Sequence, residues 1–401
     1  MRVLITGIDG YLGWSLAVYL TAKGYEVGGI DNGARRGWVD EAGSHSVVPI
    51  RPMTPNRVRA LDEKFGTLIH FFPGSLRDYD FVENTYRSFG PDAIVYLGEQ
   101  PSAAYSMKNV EHATFTQANN VLGTLVTLHA MCAACPEAHL LKLGSMGEFG
   151  TPKDCPIPEG KFPDKSLWFK ETAKGYDKIG SLAGMMFPRQ AGSFYHVSKV
   201  HDTHNIEMAC RLWGLRSTDV MQGVVYGTRI DEMGSDPRLL TRFDVDECFG
   251  TVLNRFVAQA IIGHPLTVYG KGGQTRGYLP LRDSMRCLEI ALQNPPEPGE
   301  YRTFNQFADT YTVSELATAV QTVGGLMGFK AKIHKIPNPR IEQEKHRYQP
   351  DHSRLAELGY KPTGSLGENI GEMFEVLRGC RGRIEAVKLA LLPTIQWGRP
   401  A

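Results

Sequence analysis

The feature that most limits what this chain can become stands near its beginning. A short β-rich run, Arg2-Val3-Leu4-Ile5, leads directly into Thr6-Gly7-Ile8-Asp9-Gly10-Tyr11-Leu12-Gly13, and an apolar-periodic stretch follows over residues 11–22. Glycine is needed where a strand turns sharply into a helix, where backbone must approach a pyrophosphate, and where helix packs on strand. The helix N-terminus then offers free N–H groups to phosphate charge. An acidic residue, Asp31, ends the next β-rich run. A carboxylate there can accept hydrogen bonds from both ribose hydroxyls and repels a 2′-phosphate, so the expected cofactor is NAD. Arg35 and Arg36 follow closely. They could hold a 2′-phosphate, or stack on the adenine, or sit in solvent.

Strand and helix signals continue to alternate. Runs at 25–30, 67–72, 92–97, 139–143 and 215–220 read as further strands, the last preceded by a long helix over 193–213. This pattern predicts an α/β fold, a Rossmann-type doubly wound parallel sheet. Residues 228–250 read as a long charged loop. Shorter pieces follow: a strand at 266–269, helices at 283–293 and 313–323, and a strand at 302–304. We expect residues 1–222, with a returning segment at 283–308, to form the cofactor domain. Residues 223–282 and 309–401 are expected to form a smaller mixed α+β substrate lobe. The stretch 161–188 carries Trp168, Phe169, Tyr176 and Met185-Met186-Phe187, which suit packing, a lid, a dimer contact or an added helix.

Composition excludes several classes. A formal charge of +1 over 401 residues argues against nucleic acid as the main partner. No run of about 18 apolar residues suggests a membrane span, and no targeting segment is evident. Seven scattered cysteines suit reduced thiols, and a cytoplasmic location is expected. Cys132 and Cys135 form a C-x-x-C inside an apolar helical run without a second pair, so helix packing is expected and no metal site.

The candidate chemistry lies in Tyr195-His196-Val197-Ser198-Lys199. An i, i+4 spacing puts Tyr195 and Lys199 on one helix face. A free phenol titrates near ~10. An adjacent ammonium and a cationic nicotinamide favour its ionised form, which makes Tyr195 a base for a substrate hydroxyl. Ser145, after Leu143-Gly144, is the expected third member, donating a hydrogen bond to the reacting oxygen.

The G-x-x-G-x-x-G spacing resembles the extended short-chain dehydrogenase/reductases. In that family residues after the third strand flank the adenine, here Ser75 and Leu76, with Ser75 where Asp is usual. The resemblance sharpens through Gly98-Glu99-Gln100, Tyr105-Ser106-Met107, Asn119-Asn120-Val121, Leu143-Gly144-Ser145-Met146-Gly147-Glu148 and Gln222-Gly223-Val224-Val225-Tyr226-Gly227. It continues through Leu266-Thr267-Val268-Tyr269, Gln274-Thr275-Arg276-Gly277-Tyr278, Asn305-Gln306-Phe307 and Pro337-Asn338-Pro339-Arg340. Together these resemble the UDP-sulfoquinovose synthases over residues 1–360. The resemblance implies an NAD-dependent enzyme that oxidises C4 of a UDP-hexose, UDP-glucose in that family, with 5,6-elimination. It implies that Ser145, in place of the family's Thr, acts with Tyr195, Lys199 and His196. It groups Asn32, Leu97, Gly98, Gln100, Asn119, Gln222 and Val225 with the cofactor. It groups Gln100, Tyr105, Asn120, Ser145, Met146, Gln222, Asn254, Thr267, Tyr269, Gln274, Arg276 and Arg340 with the nucleotide sugar. Family members often pair through a four-helix interface, which helices at 109–134 and 193–212 would supply as a homodimer.

Three positions depart from the family. Pro101 replaces an Arg after G-E-Q, Met221 replaces an Asn, and Pro280 replaces a polar residue. Sulfite is the family's co-substrate. Without that arginine it is expected to react poorly unless Lys271 or Arg282 compensates. The C5 base is not settled by sequence; His196 ranks first because it adjoins Tyr195, ahead of Glu148 and Glu99. A divergent epimerase, decarboxylase or dehydratase of an antibiotic or nucleoside pathway is the alternative enzyme. A non-catalytic NAD-binding sensor is the alternative from another class.

Overall fold

The computed structural model describes residues 1–401 except 152–156, 163–166, 174, 182–183, 188, 343–347 and 399–401, and leaves the side chains of 168–171 and 179 undescribed. Its strands are β1 (Arg2–Thr6), β2 (Glu26–Asp31), β3 (His70–Pro73), β4 (Ala93–Tyr96), β5 (His139–Ser145), β6 (Leu167–Thr172), β7 (Gly175–Ser181), β8 (Arg216–Gln222), β9 (Val224–Tyr226), β10 (Leu266–Tyr269), β11 (Thr275–Pro280), β12 (Tyr301–Gln306), β13 (Asp309–Thr312) and β14 (Ile333–Ile336). Seven of them form one sheet in the order β12-β8-β5-β4-β1-β2-β3. Every pairing in it is parallel. This is the doubly wound Rossmann-type arrangement, and the chain reverses direction across the sheet between β1 and β4.

Alternation within the strands explains the layers. Val3, Ile5, Val27, Val95, Leu141 and Leu143 face one side, where they bury Trp14, Leu16 and Leu20 of the Tyr11–Ala22 helix and Met285, Leu288 and Leu292 of the Leu281–Gln293 helix. Leu4, Ile94 and Leu140 face the other side, against Val82, Tyr86 and Phe89, then Leu128 and Met131, then Ile206 and Cys210. These last belong to helices Tyr79–Phe89, Val110–Ala134 and Phe194–Trp213. Each fully buried aliphatic side chain is worth about 1.5–3 kcal/mol, so strands apolar on both faces are stable only when covered on both.

The smaller elements form a three-stranded sheet, β13-β11-β9, and the pair β10-β14. A second core, with Phe256, Leu266, Leu316, Val320, Phe374 and Leu377, lies among them. The helix expected to start at 283 starts at Leu281, capped by Pro280, so that departure from the family sits at a helix entrance. Met221 is buried with Met146, Phe149 and Phe307 in a small apolar cluster. The 161–188 stretch contains no added helix among its described residues; β6 and β7 pair as an antiparallel hairpin. Phe187 packs against Phe149 and Phe162, whereas Tyr176 is 71% and Met185 56% exposed. The side chains of Trp168 and Phe169 lie outside the described residues. No described helix is long and apolar enough to cross a membrane, and no described cluster of His, Cys, Asp and Glu could hold a metal ion.

Candidate active site

A cavity of about 920 Å³ opens at the carboxyl ends of β1, β2, β4 and β5 and extends to the smaller lobe. Its floor at one end is the glycine turn. Gly7 has φ of 72°, and a Cβ there would stand 2.7 Å from the Leu97 carbonyl oxygen. A Cβ on Gly13 would stand 2.1 Å from the Gly7 carbonyl oxygen. Both positions therefore demand glycine, and the helix starting at Tyr11 points its free N–H groups at the cavity. Leu97 and Gly98 are held by their N–H groups on the Thr6 hydroxyl, at 3.0 and 3.1 Å.

Asp31 lines the cavity, its carboxylate accepting from the N–H groups of Gly33 (2.7 Å) and Asp9 (2.9 Å). Burial pushes this carboxyl up, while the Gly33 N–H holds it down. Arg35 also lines the cavity, but Asp244 holds it at 2.7 Å and Phe249 lies under its guanidinium at 3.8 Å. Arg36 is bound to both oxygens of Asp9, at 2.6 and 2.9 Å, and does not line the cavity. Arg35 thus stays on the cofactor side of the cavity, whereas Arg36 stands off its wall with its side chain 33% exposed. Acidic partners distant in sequence claim both.

Tyr195, His196 and Lys199 stand on the first turns of the Phe194–Trp213 helix, which Ser193 caps. The Lys199 ammonium donates to the Leu143 carbonyl at 2.7 Å and is ion-paired with the Glu99 carboxylate. Burial pulls Lys199 down to about 8, with Asp202 and Asp219 opposing. Burial pushes the Tyr195 phenol up, helped by Glu148 and Asp202, so ionising it needs an added positive charge. Burial, then Arg276 and Arg340, pull His196 down to about 3, which makes it a neutral imidazole near pH 7. Its Nδ1 meets the Ser193 hydroxyl at 2.9 Å, and its other face lies against Gly147, where a Cβ would be 2.2 Å from Nε2. Ser145 caps the short turn Met146–Phe149, accepting from the Gly147 N–H at 3.1 Å. That bond uses an acceptor site of the hydroxyl and leaves its proton available to the cavity.

Behind this group lies a buried ionic network. Glu148 accepts from Arg189 at 3.0 Å and faces the Ser145 N–H at 3.4 Å. Asp219 accepts from Thr203 (2.9 Å) and Tyr301 (2.8 Å), and Lys142 stands 3.7 Å from it. Burial, foremost, raises Glu148. Among the candidates for a C5 base, only His196 and Glu99 line the cavity; Glu148 does not.

The cavity wall also includes Gly10, Leu12, Asn32, Ser75, Leu76, Asn119, Met146, Gln222, Val225, Asn254, Arg276 and Arg340. Gln222 is oriented by Ser284 and Gln306. Asn254 has a buried carbonyl oxygen without a partner. Other candidates stand off the wall. Gln100 is fully buried, bonded to Thr116 and Ser102, and shapes the turn after β4. Asn120 links the Gln100 backbone to Ser198, whose hydroxyl donates to the Tyr195 carbonyl, so it orients the helix. Tyr105 donates to Glu41 at 2.8 Å. Thr267 pairs with Gln259, Tyr269 lies beneath Arg255 at 4.6 Å, and Gln274 is buried. Of the cations expected to replace the missing arginine, Arg282 is paired with Glu372, and neither it nor Lys271 lines the cavity; Pro101 does. Trp38, Asp244, Glu247, Phe249, Tyr348 and Trp397 line it without having been foreseen. The charged loop at 228–250 was the signal available for three of them.

The residues present fit NAD. The glycines leave a cradle, a helix N-terminus faces it, and the Asp31 carboxylate stands beside it on the cavity wall. Residues 3–305 match the NAD dependent epimerase/dehydratase family, and the chain belongs to that family as an NAD-dependent enzyme. Within it the chain is closely related to UDP-sulfoquinovose synthase. It is 43% identical over 396 residues to the chloroplastic enzyme of Spinacia oleracea, covering 99% of this chain and 79% of the relative. It is 43% identical over 400 residues to the Sulfolobus acidocaldarius enzyme, covering 100% and 98%. Among solved structures, a Thermus thermophilus UDP-glucose 4-epimerase in complex with NAD superposes with a TM-score of 0.65 at 23% identity, over 94% of this chain and 99% of that one.

Proposed function

We propose that the enzyme oxidises C4 of a UDP-hexose, UDP-glucose in the first instance, and then eliminates across C5 and C6. The observation that carries this is the convergence of Tyr195, Lys199, Ser145 and a neutral His196 on one cavity that also presents Arg276 and Arg340. NAD, held at the glycine turn and Asp31, supplies the two-electron change at C4 when bound. Tyr195 takes the C4 hydroxyl proton, with Lys199 favouring its ionised form and Ser145 donating to the developing ketone oxygen. The ketone acidifies the C5 proton. His196 lines the cavity as a neutral imidazole whose ring nitrogen can take that proton, and passing the proton on relieves the charge that burial and two cations oppose. The 6-hydroxyl takes that proton from His196 and leaves as water, giving a 5,6-unsaturated sugar. Arg276 and Arg340 bind the diphosphate, for which a planar fork suits paired oxygens, and Arg276 exchanges its 2.8 Å ion pair with Glu342 for phosphate oxygens in doing so. The chain divides accordingly, with residues 1–222 and 283–308 serving the cofactor and 223–282 and 309–401 serving the sugar nucleotide.

The kinship with the synthases supports sulfite addition at C6 followed by reduction at C4. Pro101 supports a second reading, a sulfur-free product, because it brings neither charge nor N–H to the cavity wall. Incubating the NAD-loaded enzyme with UDP-glucose, with and without labelled sulfite, and following products by mass spectrometry tests both. Formation of UDP-sulfoquinovose establishes the synthase reading. An unsaturated or epimerised sugar formed even with sulfite present establishes the second. No turnover of any UDP-hexose would overturn the C4-oxidation reading.

A further inference from the structure

Two cavity-lining residues, Glu247 and Trp397, are joined by a segment that no motif picks out. The Glu247 carboxylate accepts from the N–H groups of Thr394 (2.7 Å) and Ile395 (3.1 Å) and from the Thr394 hydroxyl. The Glu247 N–H in turn donates to the Ala390 carbonyl at 2.9 Å. Three residues further on, the Trp397 N–H donates to the Pro339 carbonyl at 3.0 Å. The Arg340 guanidinium then stands 5.1 Å from the centre of the Trp397 ring. One short stretch is thus tied at one end to the loop before the Val252–Ile261 helix and at the other to the turn that carries Arg340.

We infer that residues 394–397 form a clasp over the nucleotide end of the cavity, with Trp397 as a wall of that subsite and as the group that holds Arg340 ready. The inference rests on the nucleotide-sugar reading above and adds to it a residue that binds the nucleoside diphosphate. The chemistry fits. An aromatic face beside a guanidinium restricts that long side chain before any ligand arrives, and less freedom is then lost on binding. A ring next to a cation also matches a ligand that joins a planar base to a diphosphate. Glu247 contributes through the backbone it holds, so its part is positioning.

The test is UDP binding to the full chain loaded with NAD, by calorimetry and by tryptophan fluorescence. Trp397→Ala should weaken UDP about tenfold or more while NAD content and melting temperature stay as in the parent protein. Trp397→Phe, which keeps an aromatic wall, should hold affinity within about threefold and show a smaller fluorescence change, the remainder coming from Trp38 on the same cavity wall. Affinity of Trp397→Ala within twofold of the parent, or affinity of Trp397→Phe as weak as that of Trp397→Ala, would overturn the clasp. Failure of the parent protein to bind UDP at all would overturn the nucleotide-sugar reading itself, and the clasp with it.

Discussion

Arg35, half-buried, pairs with the buried Asp244 at the cofactor end of the cavity, the Nη2 and Nε of the arginine both donating to one carboxylate oxygen at 2.7 and 3.2 Å. Phe249 stacks against the same guanidinium. An arginine held this way has little freedom to swing toward a 2′-phosphate, and Asp31 beside it adds like-charge repulsion. NAD should therefore bind at least about tenfold more tightly than NADP in a direct titration, a difference of about 1.4 kcal/mol. Asp244→Ala should release Arg35 and narrow the gap. An unchanged ratio in that variant would show that the pair plays no part in the choice.

Replacing Tyr195 by Phe removes the phenol and leaves the ring. Turnover should fall by about 10²–10⁴-fold, while bound NAD is retained. Residual activity within about tenfold of the parent would place the base elsewhere.

Glu148 and Arg189 are 0% and 2% exposed in their side chains. Breaking such a pair strands a charge out of water. Above pH 7, where the carboxyl that burial raises to about 7 is ionised, Glu148→Gln should cost about 3 kcal/mol, read as a lower denaturant midpoint, because Arg189 is left uncompensated. The double variant Glu148→Leu with Arg189→Met should recover part of the loss, since no charge then remains buried. Equal losses in the single and double variants would contradict this account.

His139 shows how burial couples stability to acid. Burial, then Arg302 and Arg216, hold it down to about 3, below its unfolded value near 6.5. Above about 6.5 both states are neutral and nothing is lost. Below that the unfolded chain binds a proton that the folded chain refuses, so stability falls as pH falls. Between pH 7 and 5 the loss from this one residue is about 2 kcal/mol. His139→Gln should flatten that slope. His196 leans the same way in both proteins and cancels in the comparison. Parallel slopes for parent and variant would refute the assignment.

Local patterns made the sheet legible. The apolar runs at Val3-Leu4-Ile5 and 139–143 became strands covered on both faces, and the predicted 11–22 helix has the bounds Tyr11–Ala22. The glycine turn and Y-x-x-x-K were equally legible, because each needs only a few consecutive residues. The third strand was drawn too long, at 67–72, because only His70–Pro73 finds a partner at the sheet's edge. The 161–188 stretch could not be read, since its apolar residues fit a helix or a hairpin until a pairing register selects one.

By itself the sequence determined which backbone turns are possible, which faces must be buried and which residue types can do the chemistry, all consequences of spacing within one element. Only the tertiary structure decided which charges are free. Asp9 sequesters Arg36 and Arg57, Asp244 sequesters Arg35, and Glu372 sequesters Arg282. It also turned Gln100, Asn120 and Tyr105 away from the cavity and brought Trp397 to it. The reason is range. A hydrogen bond or ion pair joins groups within a few ångströms whatever their separation along the chain, and residues 35 and 244 become neighbours only once the sheet and the smaller lobe have packed.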